Sequence, residues 1–414
     1  MRLLFITLLC TGLLLVFSGE LCLPQDSDGA EDEVNQSLEK GRIGTGVASL
    51  ADALLAKPKD NIRFGLGALQ FFQSVEKLGQ ALYRHGLRSD EALMDIFPFE
   101  FPIPPNPNPE PLTYPKARQI MKDFLAGLTA AEATLAQIKS DSVMLPLHFA
   151  LTSFDFDCNG KISENETLWR IYNEMNQAVE LTEERARNFV IMLDAGDVYW
   201  LRGYCHLLSA CLEFVLAHDE SQLFNSTAHI FFENPETNCK FLKENINQLG
   251  SDTFIVDAIA FLHLLNFPVV EPERMPKVLE HLRQVTSLSR QSWQLYLAET
   301  DDNREWVPNP KQTGVIPEVK VSEDMIQQWL AFLDELDTLL AGEKLIPFWR
   351  GKKPVGVNLK RAFTEPSRFD LVLWVQGSAA APYLEEGELT KGEFWQRLVD
   401  TFEGQFIGFA IWFN

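Results

Sequence analysis

Between residues 155 and 166 the chain reads Asp155-Phe-Asp157-Cys-Asn159-Gly160-Lys161-Ile162-Ser163-Glu-Asn-Glu166. Oxygen-bearing side chains recur at alternate positions, a glycine stands sixth and a glutamate twelfth. A hard cation such as calcium takes six to eight oxygens, and a twelve-residue loop can wrap them around it. On that reading Asp155, Asp157 and Asn159 supply side-chain oxygens. Gly160 permits the sharp turn, Lys161 offers its backbone carbonyl, and Ser163 ligates directly or through water. Glu166 closes the site with both carboxylate oxygens. Asp, Asn and Gly also build ordinary surface turns, but such a turn has no use for a glutamate at position twelve.

The stretch resembles the EF-hand calcium loop at every diagnostic position, including the apolar Ile162 at the eighth. The resemblance covers 12 of 414 residues and implies a calcium ion as cofactor. On the exit side Leu168, Ile171, Tyr172 and Met175 fall at helical spacing. On the entry side Leu147, Leu151 and Phe154 fit one face of a short helix that Pro146 limits to about two turns. The sequence holds no second such loop, so the paired lobe of regulatory calcium sensors is missing. What the resemblance implies is a structural ion rather than a switch.

Other groups offer weaker chemistry. Asp194, Asp197, Arg202 and His206 lie on an apolar segment read as one helix over 182–217. Asp194 and Asp197, three apart, share a face and suit acid–base work or metal binding; the alternative is a buried ion network with Arg202. Arg368, Asp370, Trp374 and Gln376 place a tryptophan beside polar groups, as a stacking site for carbohydrate or a small ligand would, although simple packing explains the same pattern. Glu299-Thr-Asp301-Asp-Asn303 imitates the start of a calcium loop, with Arg304 where the glycine belongs. No phosphate loop, dinucleotide fingerprint, zinc-protease motif or nucleophile elbow is present. Of the six cysteines, Cys205 and Cys211 are six residues apart on one helix and point away from each other. Export makes disulfides possible, Cys211 with Cys239 being one conceivable pair, but a core this large does not need them.

The elements that must position these groups read as helices almost throughout. Residues 1–19 carry Arg2, an apolar run and small Ser18 and Gly19, the pattern of a secretory signal peptide. The expected mature protein is therefore exported, periplasmic or extracellular, and not membrane-spanning. Residues 20–40, dense in Asp and Glu, read as a flexible acidic leader. Helices are expected over Thr45–Lys57 and Asn61–His85 as a hairpin, then an extended proline-rich connector at 98–115, and a helix opened by Pro115. Further helices are expected at 221–232, 252–265, 276–299, 322–341, 366–376 and 388–404. The closing Phe406-Ile-Gly-Phe-Ala-Ile-Trp-Phe fits a buried strand as well as a helix.

Hydrophobic residues make up 46% of the chain, enough for a sizeable core in residues 41–414, as one large multi-helix domain or two packed lobes. The formal charge of −22 argues against nucleic acid or an anionic membrane surface as partner. The expectation is a mainly α-helical, exported calcium-binding protein with an unidentified protein or small-molecule partner. The alternative is an exported hydrolase working through Asp194 and Asp197.

Overall fold

Acidic side chains in a first turn oppose the positive end of a helix dipole, and Glu31, Asp32 and Glu33 hold that place in α1 (Ala30–Glu39). The computed structural model describes residues 29–88, 103–175, 181–243, 252–315, 320–351 and 354–413. The segment expected to be a signal peptide (1–19), the first part of the acidic stretch (20–28) and the start of the connector (98–102) lie outside the described residues. The reading of 20–40 as a flexible leader is corrected by α1. Val34 and Leu38, one turn apart, are fully buried on its inner face, so the charges line the outside of an amphipathic helix.

Fifteen α-helices appear among the described residues, and the fold is mainly α. After α1 come α2 (Ile43–Ala56), α3 (Asp60–Arg84) and α4 (Tyr114–Leu135). Between α3 and α4 the described part of the connector, 103–113, contains no helix. The start of α4 follows from its sequence: the Thr113 hydroxyl accepts from the Lys116 N–H, and Pro115 lies in the first turn. Next are α5 (Leu168–Met175), α6 (Glu183–Asn188), α7 (Ala195–Ala217), α8 (Ser221–Phe231), α9 (Asp252–Leu264) and α10 (Met275–Ala298). The last are α11 (Glu323–Ala341), α12 (Leu359–Thr364), α13 (Leu371–Gln376), α14 (Gly392–Thr401) and α15 (Phe406–Phe413).

Three expectations about these elements are corrected, and one that was open is resolved. The segment 182–217 is not one helix. It breaks after α6 into a strand, Ile191–Leu193, which pairs antiparallel with Leu145–Leu147, and Asp194 then caps α7. Ile191 to Leu193 pairs across that ladder rather than along a helix, and the Met192 N–H donates to the Arg304 carbonyl on its other side. The entry to the acidic loop is the partner strand Leu145–Leu147 followed by a 3-10 turn, Phe149–Leu151, not an α-helix. Over 366–376, only Leu371–Gln376 is helical, capped by Asp370. Of the two readings open for the closing apolar run, the helix is the one formed.

The long helices pack in series, α2 on α3, α3 on α4, α4 on α7, α7 on α10 and α10 on α11. One hydrophobic cluster runs through them from α1 to Phe413, including the fully buried Trp293 and Trp329. A small sheet of order Leu384–Glu386, Val355–Val357, Lys344–Pro347, Glu388–Leu389 lies after α11. No described helix is long and apolar enough to cross a membrane.

Candidate metal centre

The ends of the acidic loop are fastened together by the protein's own hydrogen bonds. Phe154 N–H donates to the Glu166 carbonyl at 2.9 Å, and Leu168 N–H donates to the Thr152 carbonyl at 2.9 Å. The hydroxyls of Ser153 and Thr167 meet at 2.9 Å between these bonds. The loop itself is curled by side chains accepting from backbone N–H groups. Asp155 accepts from Asn159 and Gly160, each at 3.0 Å. Asp157 also accepts from Asn159 N–H, at 3.0 Å, and Asn159 Oδ1 accepts from Lys161 N–H at 2.7 Å. Gly160 has φ +74°, a conformation that L side chains rarely adopt.

Glu166 reaches back across the whole loop. Its Oε1 accepts from Phe156 N–H at 2.9 Å, and its Oε2 from Ser163 N–H at 2.8 Å. The residue is fully buried. Asp155, Asp157 and Glu166 bring ligand oxygens within 4.8 Å of one another. Three carboxylates at that spacing repel, and the N–H donors offset only part of the repulsion. A hard cation would draw on the lone pairs that the donors leave. Asn159 is beside them, its amide donating to Asp157 at 2.6 Å. Lys161 is exposed. Lys161 donates its backbone N–H to Asn159, and Ser163 and Glu166 cap one another, the Ser163 N–H donating to the Glu166 carboxylate and the Ser163 carbonyl accepting from the Glu166 N–H at 3.3 Å.

The loop is docked on α3, through residues that the sequence reading passed over. Glu76 Oε1 accepts from Asp155 N–H at 3.2 Å, and Gln80 donates to the Asp155 carbonyl at 2.8 Å. Between them, a Cβ on Gly79 would lie 2.3 Å from the Phe156 ring, so the loop approaches the helix as closely as a glycine allows. Burial, and after it the charges of Asp155 and Glu166, push the Glu76 carboxyl up to about 7 against the pull of the Asp155 N–H. Burial first, then Asp157 and Glu166, also raise the Tyr83 phenol. The site is thus a pocket of negative potential. Its signal in the sequence was a glutamate and a glutamine one turn apart beside the apolar face of a long helix.

The other candidates resolve differently. Asp194 and Asp197 form a reciprocal cap at the start of α7: Asp194 Oδ1 accepts from Gly196 and Asp197 N–H, and Asp197 Oδ2 accepts from Asp194 N–H. Asp197 also receives the Tyr296 hydroxyl at 2.8 Å. The expected network with Arg202 is corrected, because that arginine binds Glu132 of α4 at 3.0 Å. His206 meets His281 at 2.8 Å, also beside Glu132. Asp194 instead converges with Glu299 and Glu305, their oxygens within 4.8 Å. Glu299 therefore belongs to an acidic cluster, but with these partners and not with Asp301 and Asn303. Burial, and then the hydrogen bond with Asp194, push Glu299 up to about 9. Asp370 caps α13 and accepts from Asn266 at 3.0 Å, while Arg368 donates to the same asparagine. Trp374 stacks on Tyr383 with ring centres 5.9 Å apart, so it packs rather than flooring a shared site. Cys158, Cys205, Cys211 and Cys239 are free thiols, and the pairing of Cys211 with Cys239 is not formed.

Compared with protein-family models, with curated proteins and with solved structures, the chain matches none.

Proposed function

We propose that residues 155–166 bind one calcium ion, and that the protein is an exported binding or scaffold protein which the ion stabilises. The observation that carries this reading is the convergence of Asp155, Asp157 and the buried Glu166 in a loop already curled around them. Oxygen donors without sulfur or imidazole suit calcium or magnesium rather than a softer metal. The flexible twelve-residue geometry favours the larger ion over the strict octahedron of magnesium. The loop joins α3, through Glu76 and Gln80, to the strand–turn entry and to α5. An ion there ties these elements together and opens no helix pair, as sensors require. Equilibrium dialysis of the purified chain is expected to find one calcium bound per molecule, with magnesium competing poorly; no bound calcium would overturn the proposal.

Export rests on the charged start and apolar run of residues 1–19. Protein recovered from outside the cytoplasm should begin between Ser18 and Cys22 on N-terminal sequencing, and retention of Met1 would contradict the signal reading. The hydrolase alternative is less well supported, since Asp194 and Asp197 are occupied in capping α7.

A further inference from the structure

Among the described residues, α3, α4, α7 and α8 line a cavity of about 710 Å3, to which Phe156 of the acidic loop and Leu168 and Ile171 of α5 also contribute. Its walls are aromatic and aliphatic side chains, among them Phe71, Leu82, Phe124, Leu208, Phe232 and Trp306. The polar exceptions are Asp197, Cys211 and Thr227. Asp197 is held by Tyr296 and the backbone of Asp194, and the Thr227 hydroxyl donates to the Leu223 carbonyl. An entering molecule therefore meets hydrocarbon on nearly every side. The volume falls within the range of small-molecule sites, about 300–1,000 Å3.

From this enclosure we infer a binding site for one long hydrocarbon chain, the acyl chain of a lipid. Water is a poor occupant, because apolar cavities offer it too few partners and stay dry. The cavity is also reachable. Cys211 lies on its wall and is exposed, and Phe261 of α9 both lines it and is 43% exposed. The same helix presents Val256, Ile259 and Leu262 to the outside, so an apolar surface continues from the mouth and could accept a chain leaving a bilayer or micelle. The inference is independent of the proposed calcium ion: calcium binding without acyl binding would overturn this inference alone.

The test begins with organic extraction of the purified full-length protein. Mass spectrometry should find a near-stoichiometric acyl compound, and its mass distinguishes a fatty acid from a phospholipid. The delipidated protein should then bind a fluorescent long-chain fatty acid saturably at one site. Leu208→Trp and Val75→Trp, which place bulk in the cavity, should each weaken that binding at least tenfold with unchanged circular dichroism. Should either variant fail to fold, alkylation of Cys211 in the unsubstituted protein, followed by peptide mass spectrometry, is expected to slow when the fatty acid is added. The inference is overturned if no acyl compound is extracted and no saturable binding follows. It is equally overturned if folded variants bind as the parent does, or if Cys211 reacts at the same rate with and without fatty acid.

Discussion

Trp412→Ala is expected to destabilise the protein by about 3–5 kcal/mol, whereas Trp412→Phe should cost under about 1.5 kcal/mol. The difference comes from what the indole touches. Its ring stacks on Trp306 with centres 4.8 Å apart, and Trp306 packs edge-on against Trp200. The Trp412 carbonyl accepts from the Trp200 indole at 2.7 Å, and the Ile411 carbonyl accepts from the Tyr204 hydroxyl. One residue on, Phe413 stacks against Trp293. Helix α15 is in this way the last piece of the core, wedged among α7, α10 and α11. Alanine would leave a cavity between the tryptophans. Phenylalanine keeps most of the volume and removes a buried indole N–H that has no partner among the described residues. Urea unfolding of both variants gives the comparison, and equal losses would show that α15 is not wedged as described.

The second large effect is a dependence of stability on pH that Glu299→Gln should flatten. Glu299 is pushed up to about 9, by burial and then by its hydrogen bond with Asp194. Glu305 is pushed up to about 7 by burial, and by the Asp194 charge against the Asn303 N–H. Asp197 is raised by burial and then by Asp194. None of Asp194, Asp197, Glu299 and Glu305 forms an ion pair with lysine or arginine among the described residues. In the unfolded chain such carboxyls ionise near pH 4–4.5, so between about 4.5 and 9 the folded protein holds more protons. Stability from these groups is therefore present below about pH 4.5 and lost as the pH rises toward 9. Glu271 acts in the opposite sense. Despite burial, Arg274 and Arg118 hold it down to about 2, so its contribution is lost as the pH falls from about 4.5 toward 2. Melting temperature should thus fall from pH 5 to 9 in the parent. It should fall less steeply in Glu299→Gln, whose amide can donate to Asp194 without ionising. Parallel curves would show that Glu299 carries no such proton. Glu76 and Glu220, each raised to about 7 mainly by burial, leave a residual slope in the variant.

The helical plan was legible wherever one face of a segment repeats in apolar residues. Phe64, Ala68, Phe71, Val75, Leu78 and Leu82 mark α3 nearly to its ends, and Pro115 marks the start of α4. Legibility failed where a local pattern served a tertiary purpose. Phe189 to Leu193 has the hydrophobicity of a helix core, but its last three residues pair with a distant strand, Leu145 with Leu193 to Leu147 with Ile191. In α1 the charge density concealed Val34 and Leu38, the two side chains that bury it. The acidic loop was readable because every oxygen donor lies within twelve residues of the next. Glu76 and Gln80, 75 or more positions away, were not, and neither was the convergence of Asp194 with Glu299 and Glu305. Such meetings depend on how α7 and α10 pack, which no local spacing encodes.

Calorimetric titration with calcium tests the central proposal most directly, using the parent, Ser163→Ala, Glu166→Gln and the double variant Asp155→Ala, Glu166→Gln. The parent should show one site with a dissociation constant of about 10⁻⁴–10⁻³ M, as for extracytoplasmic calcium modules. At tenfold excess over that constant, linkage stabilises the fold by about 1.4 kcal/mol, a small shift in melting for a protein of this size; the heat of binding is the better signal. Ser163→Ala should weaken binding modestly, and Glu166→Gln should remove most of it, because the buried closing carboxylate is lost. The double variant should give no binding heat. Equal titrations of the parent and the double variant would contradict the proposal and leave residues 155–166 as a turn held by its own hydrogen bonds.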